Sequence, residues 1–403
     1  MSTTKDIIIF AGALYDAPLW TNRQHVATQL AQRGWRVLYV EPRLFVWRQL
    51  FGAFRGTRGR WQWLRRRWVL WQPQPSLWVT SQLNCIPGSR RWSWIGALNH
   101  RSVNRWSVRH HAQALGFRNP VLLFYDTEAA EFLDDFPDSR VIYDCVDDHR
   151  VQAGVERSAA RVEDEERRIA ERAAAIAVTT QPLRERFSKT HKNIHLIPNA
   201  ADIQAFSKQP VREPDDVVNI PHPRVGTVGA LDVYKVDLEL LGRVARQHAD
   251  WHIVLVGPVD YSHTGGAQSV RRLSELPNVH FLGPKSREEV PAYVHAFDVA
   301  MIPYRESPYN RASFPLKFWE FLAAGKHSLA SGLPSLEPYR HLVTLASSPE
   351  SFARGIQEAL NHGVAGKSAS AKATADKEAR IAEAQKHSWE SRVDALEQLL
   401  LAL

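Results

Sequence analysis

The chain has 403 residues, 44% of them hydrophobic and 23% charged, and a formal net charge of +8. That length suits two domains of the usual ~100–200 residues, and the apolar content excludes wholesale disorder. The positive balance favours an anionic partner, whether nucleic acid, phosphorylated metabolite or membrane surface. No apolar run approaches the ~18 residues that cross a bilayer, and the start MSTTKDIIIFAGALYD lacks the flanks of a secretory signal. Cys85 and Cys145 are the only cysteines and show no metal-ligand spacing, so a reducing, cytoplasmic setting without structural zinc is expected.

In chain order, the apolar run Asp6 to Phe10 predicts a first strand. A loop containing Gly12 and Asp16 follows, then a helix over Asn22 to Gln32, a stop at Gly34 and a buried strand over WRVLYV, 35–40. The alternation returns at VLLFYD (121–126), VIYDCVDD (141–148), a charged helix near 155–172, AAIAVTT (174–180) and NIHLIPN (193–199). Short all-apolar strands between helices predict a parallel sheet covered on both faces. The stretch SKQPVREPDDVVNIPHP, 207–223, is polar, holds four prolines and shows no period, so it reads as a linker.

Beyond it the pattern repeats in RVGTVGAL (224–231), WHIVLVGP (251–258), NVHFLGP (278–284), DVAMIPY (298–304) and HSLASG (327–332). The expected architecture is α/β, two Rossmann-like doubly wound domains facing a cleft. Their bounds are 1–206, with an insert at 44–118, and 224–385. Residues 364–377 read as a mobile loop or frayed helix. In 386–403, apolar residues at Trp389, Val393, Leu396, Leu399 and Leu400 predict an amphipathic helix packed on the body.

Ligands of such sheets bind beyond the carboxyl ends of the strands. In the second half these ends carry Gly229, Gly257, Gly283 with Lys285, and Arg305 after Tyr304. Glycine lets a phosphate approach the backbone, and helix N-termini attract anionic charge, so the set suits a nucleoside diphosphate. Each glycine taken singly is equally well a tight turn. Neither half carries G-x-G-x-x-G after its first strand, nor a P-loop, which argues against a dinucleotide-dependent oxidoreductase or a P-loop ATPase. In FPLKFWEFLAAGKHSL (314–329), Lys317 and Glu320 share a helix face and either hold one ligand or simply pair.

With NVHFLGPKSREEVPAYVHAFDVAMIPYR (278–305), that stretch resembles the donor-sugar half of GT-B glycosyltransferases. The similarity is to family-four-like enzymes that build bacterial surface polysaccharides, the teichuronic type among them. IPNAAD (197–202), VGTVGALDVYKVDLELL (225–241) and HSWESRV (387–393) extend the resemblance. It implies that Glu320 grips the nucleotide ribose and that Lys317 meets the donor diphosphate. It also implies sugar transfer without a bound metal or further cofactor, with retention at the anomeric centre. Ala312 stands where the family's first motif glutamate would be, Ala230 where an arginine is usual, and Lys235 lies one position from a matching lysine. Lys317, Lys285, Arg305 and Arg311 are the cations available in their place.

On the acceptor side, YDCVDDHR (143–150) gathers Asp144, Asp147, Asp148 and His149 at a strand end. Such a density of titratable groups suits a base or an acceptor-orienting group, although Asp147 and Asp148 equally well cap a turn. The family commonly places a histidine here, and the resemblance puts Asp144 or Asp147 nearest to it, while His149 reads as an ordinary loop residue. Asp126, Gly12 and Asp16 are further acceptor-side candidates.

Between Leu44 and Thr80 lie six tryptophans (Trp47, Trp61, Trp63, Trp68, Trp71, Trp78) and seven arginines. That composition suits an anionic membrane surface, or packing against the first sheet, or, less well, nucleic acid. The reading at this point is a glycosyltransferase moving a sugar from a nucleotide sugar to a glycan or lipid-linked acceptor, with no nucleic-acid partner. A nucleotide-sugar binder without catalysis is the alternative.

Overall fold

Ile7, Ile8, Ile9 and Phe10 have no exposed surface, and the strand they form, β1 (Asp6–Phe10), lies in the middle of its sheet. A computed structural model of the chain describes residues 5–17, 19–46, 69–89, 92–151, 158–260, 266–364 and 371–402. Contacts divide the chain into one unit of Met1–Ile197 with Val393–Leu403 and a second of Pro198–Arg392.

The first unit holds β1, β2 (Arg36–Phe45), β3 (Trp71–Gln74), β4 (Leu77–Asn84), β5 (Val121–Phe124), β6 (Val141–Cys145), β7 (Ala175–Val178) and β8 (Ile194–Leu196), in the order β3-β4-β2-β1-β5-β6-β7-β8. Every pairing is parallel except β3 with β4. Chain order reverses between β2 and β5 around β1, so the loops after β1 and β5 flank the switch point. Its helices include α1 (Asn22–Gln32), α2 (Ser93–Asn99), α3 (Arg105–Ala114) and α4 (Ala159–Arg172).

The second unit has a six-stranded parallel sheet in the order β13-β11-β9-β14-β15-β16. Its strands are β9 (Arg224–Val228), β11 (His252–Val256), β13 (Val279–Gly283), β14 (Val299–Pro303), β15 (Ser328–Ser331) and β16 (Val343–Ala346). A two-stranded pair, β10 (Leu231–Asp232) with β12 (Val259–Asp260), continues the loops after β9 and β11. The switch point here lies between β9 and β14. Helices α5 (Leu238–Gln247), α6 (Pro308–Ala312), α7 (Leu316–Ala323) and α8 (Ala371–Gln385) belong to this unit.

The last helix, α9 (Trp389–Ala402), starts at the end of the second unit. It sends Val393, Leu396, Leu399 and Leu400 into the first unit's core beside Val26, Leu30 and Trp35. Glu397 fixes it there, accepting from Trp35 Nε1 (2.8 Å) and Lys5 Nζ (3.1 Å).

One sequence expectation changes, and two open alternatives narrow. The division falls at Ile197/Pro198 rather than at 207–223, because Val217 and Ile220 turn into the second core and Asp216 takes a lysine of that unit. Of the two alternatives for 364–377, loop or frayed helix, the chain is helical from Ala371 onward, as its alanine and lysine content favours. There Arg380 donates to Gly325 O (3.2 Å). In the insert, Trp71 stands on the edge strand β3 and Trp78 on its neighbour β4, packed edge-on to Tyr15 and Phe117 respectively, which is the expected alternative of packing with the first sheet. Trp47, Trp61, Trp63 and Trp68 lie outside the described residues.

Candidate functional site

Gly257 has φ +141°, and a Cβ built on it would lie 2.0 Å from Gly229 O. The loops after β9 and β11 therefore touch backbone to backbone, which no side chain at 257 permits. Gly229, with φ +103°, leaves room for Lys317, whose Nζ lies 3.4 Å from where a Cβ at 229 would stand. Lys317 is the second residue of α7, so it rises beside that helix's unpaired first-turn N–H groups. It is largely buried, with Nζ 5.4 Å from the Tyr304 ring centre.

A second lysine feels the same tyrosine. Lys235 pairs with Asp232 (3.3 Å) and lies 5.2 Å from the rings of both Tyr234 and Tyr309. Burial opposes its charge, but the phenol oxygens of Tyr309, Tyr234 and Tyr304 together with Asp232 outweigh that and hold the ammonium well above its ordinary pKa. Asn310, fully buried, locks the loop by donating to Arg305 O (2.8 Å) and Lys235 O (3.1 Å), while Arg305 N donates to Lys235 O (2.9 Å). Chain segments about 70 residues apart thus build a tyrosine-walled, doubly cationic corner at the carboxyl edge of the sheet.

One turn beyond Lys317, Glu320 keeps some accessible surface, yet burial pushes its carboxyl up to about 7. Lys317 counteracts this, and Asp202 adds to it. Arg305 reaches Val236 O at 3.4 Å, and its Nε is buried with no hydrogen-bond partner among the described residues. Lys285 is engaged elsewhere: Asp216 accepts from it (2.5 Å) and from Tyr293 Oη (2.7 Å). Arg311 pairs with Glu306 on the surface. Gly283, φ +69°, has open space where a Cβ would stand. Of the expected donor group, then, Gly229, Gly257, Arg305, Lys317 and Glu320 surround the corner, and Lys285 is held in a separate cluster. Lys235, set aside in the sequence because its position is offset by one, joins it.

In the first unit, Gly12 (φ +63°) and Asp126 meet at the switch point, a Cβ at 12 falling 2.9 Å from Asp126 Cβ. Asp126 also caps the short helix Thr127–Asp135 by accepting from Glu128 N (3.0 Å), and Asp16 is an exposed turn residue. Two of the three aspartates in and after β6 are placed against the expected catalytic role. Asp144 is within the strand, opposite Ala177, and has no exposed surface. Asp148 accepts from Arg150 Nε (3.0 Å) and Nη2 (2.8 Å) and lies 3.6 Å from Arg186. Burial alone would raise its pKa, but these arginines lower it, so Asp148 is a held anion and a poor base.

Asp147 stays half-buried beside His149. The Nε2 of His149 is buried without a hydrogen-bond partner among the described residues. Burial and the nearby Arg23 of α1 hold this imidazole below its ordinary pKa, against Asp147, Glu166 and Asp126. A neutral imidazole with an unsatisfied nitrogen is suited to a substrate hydroxyl. The signal was present in the sequence as three consecutive titratable residues after a strand, but which of them turns inward depends on the turn. Among the described residues no three His, Cys, Asp or Glu side chains gather so as to hold a metal ion.

Residues 222–362 match the family model described as "Glycosyl transferases group 1", a span containing every donor-side residue named above. The chain is 31% identical over 237 residues to TuaH of Bacillus subtilis (strain 168), a protein provisionally named as a teichuronic acid biosynthesis glycosyltransferase. The alignment covers 55% of this chain and 58% of TuaH, so it spans less than two thirds of that relative. Sucrose-phosphate synthase from Thermosynechococcus elongatus superposes with TM-score 0.71 at 16% identity, over 98% of each chain. The fold is that of the GT-B glycosyltransferases, and residues 222–362 within it carry the family match. HepE of Anabaena, solved in complex with UDP and glucose, shares the GT-B fold at TM-score 0.66 and 14% identity, over 99% of this chain and 100% of HepE. Within this GT-B chain the switch points of both sheets carry the candidate groups, as the fold class requires of ligand-binding edges.

Proposed function

We propose that the protein transfers a glycosyl group from a nucleoside-diphosphate sugar to a glycan or lipid-linked acceptor, in the cytoplasm, during cell-surface polysaccharide synthesis. The observation that carries the reading is the placing of Lys317 over Gly229 and Tyr304, with Lys235 held in the field of the same tyrosine. HepE's complex with UDP and glucose and the name of TuaH support it.

As the anomeric carbon–oxygen bond breaks, negative charge gathers on the leaving diphosphate while the sugar becomes oxocarbenium-like. Lys317, Lys235 and the first-turn N–H groups of α7 meet that charge in a fixed, partly desolvated corner, the arrangement that lowers such barriers most. In this reading the lysines stand in for the family cations missing at Ala230, the transfer needs no metal and the anomeric configuration is retained. Glu320, when ionised, accepts from the ribose hydroxyls. In the first unit, His149 and Asp147 orient the acceptor hydroxyl and take up its proton.

The test is calorimetric titration with UDP, GDP and their sugar conjugates on the wild type, Lys317→Ala and Glu320→Ala. Micromolar binding of one nucleotide series, weakened at least about tenfold by either substitution, is expected for two charge-assisted contacts of ~1.5–3 kcal/mol each. Absence of any binding overturns the reading. Binding without turnover of the sugar on any acceptor favours a binding protein that has lost catalysis, for which Ala312 and Ala230 are the motive.

A further inference from the structure

From Pro42 to Tyr125 the sequence holds fourteen arginines and nine of the chain's fourteen tryptophans, but no lysine, aspartate or glutamate. Because the whole chain carries only +8, everything outside this segment is net acidic. In the described part of the segment, α2, a π-turn at His100–Asn104 and α3 run as one rod. Its inward side is pinned by specific bonds. Asn99 exchanges hydrogen bonds with Ile86 N and O (2.9 and 3.0 Å), Asn104 accepts from Leu83 N (2.6 Å), and the Asp135 carboxylate lies 2.9 Å from His100 Nε2 and 2.8 Å from Arg105 Nε.

The outward side carries what a folded surface ordinarily hides. Trp94 is 65% exposed, Trp106 66%, Leu98 44% and Trp92, just before α2, 49%. Trp94, Leu98, Ser102, Trp106 and His110 follow one another at intervals of four, all exposed, with exposed Arg101 in the same stretch. Trp106 and His110 stack at 4.9 Å. An apolar stripe of this kind marks an interaction surface.

We propose that this face of α2–α3 docks on an anionic lipid surface, its indoles at headgroup level and its arginines against lipid phosphates. Trp with Arg is the combination that the bilayer interface selects, and a convex helix with an apolar stripe seats in the plane of the interface. Single-stranded nucleic acid, by contrast, is held in a basic groove. The proposal does not depend on the donor reading.

The test is sedimentation of the full chain with vesicles of phosphatidylglycerol and phosphatidylcholine, against phosphatidylcholine alone. Wild type is expected to bind the anionic vesicles and to release with salt. Trp94→Ser with Trp106→Ser should cut the partition coefficient at least about tenfold, and Arg101→Gln about fivefold. A polarity-sensitive dye on Ser102→Cys in a Cys85→Ser background should shift to the blue with anionic vesicles only, a readout that removes no tryptophan. Three results overturn the proposal: no vesicle binding, equal binding by the variants, or sedimentation with a silent dye. Displacement of the vesicles by single-stranded RNA that itself shifts the dye would assign the face to nucleic acid instead.

Discussion

Lys317 Nζ lies 3.4 Å from the point where a β-carbon on Gly229 would stand, while the Gly229 carbonyl oxygen lies 2.0 Å from the corresponding point on Gly257. The two glycines are thus required for different reasons. At 229 the obstacle is the backbone, φ +103°, since a lysine tip can swing aside. At 257 a carbonyl blocks the side chain outright. Gly229→Ala should cost about 1–3 kcal/mol and displace Lys317, weakening donor binding in a protein that still folds. Gly257→Ala should lose more stability than that. Thermal melts of both, with donor titration of the first, check the order.

Lys317→Met keeps the apolar stem and removes the charge. Donor affinity should fall about 10–100-fold, the worth of one charge-assisted contact, with little change in melting temperature. Loss of the ammonium also removes the influence that holds the Glu320 carboxyl down, so its titration should move further upward. Side-chain NMR of the labelled glutamate would show this. A fixed Glu320 titration in the variant would mean the two residues do not share a field.

Glu320 gives the donor site a pH dependence. Its folded pKa, about 7, stands above the ordinary glutamate value, so the folded state prefers the protonated form. The stability that this supplies is present below the unfolded pKa and is lost as pH rises through about 7. Glu320→Gln should therefore melt close to wild type at pH 5 and above it at pH 8. Donor binding runs the opposite way if the ionised carboxylate accepts from the ribose, improving from pH 6 to 8 in wild type and staying flat in the variant. A stability gain and a binding loss in one substitution would separate this role from a surface ion pair with Lys317.

Periodicity and short apolar runs sufficed to place the central strands and the helix Asn22–Gln32, because parallel strands buried on both faces must be continuously apolar, but not β3, β4, β10, β12 or β16. The strand-end glycines and the Lys317–Glu320 pair were likewise legible, since both depend on spacing of three or less. Lys235 was not, because its cage needs Tyr304 and Tyr309, which only the β9–β14 neighbourhood brings near. The same limit explains the boundary: four prolines made 207–223 look like a linker, but whether Val217 and Ile220 find a core is a tertiary matter. Asp144 sits at an inward register position, and only the pairing with Ala177 shows that the strand continues past it.

The cluster after β6 supplies the sharpest contrast between structural and chemical roles. Asp148→Asn leaves Arg150 without its anion and takes one of two carboxylates from Arg186, which keeps Glu166 at 2.6 Å, so about 1–3 kcal/mol of stability should be lost at pH 7. Since the folded pKa of Asp148 is depressed, that stability is present above the unfolded carboxylate pKa and disappears as pH falls through the folded one. The penalty of the variant should accordingly shrink in acid. His149→Gln removes no hydrogen bond of the ring Nε2 among the described residues and should melt within about 1 kcal/mol of wild type, with Asp147→Asn as its companion variant. If they serve the acceptor, kcat should fall ~100-fold or more while donor Kd holds, the size expected for a lost general base. Retained turnover in both variants, with donor binding intact, would return this strand end to a turn-capping role and move the search for the base to Asp126, which meets Gly12 across the switch point.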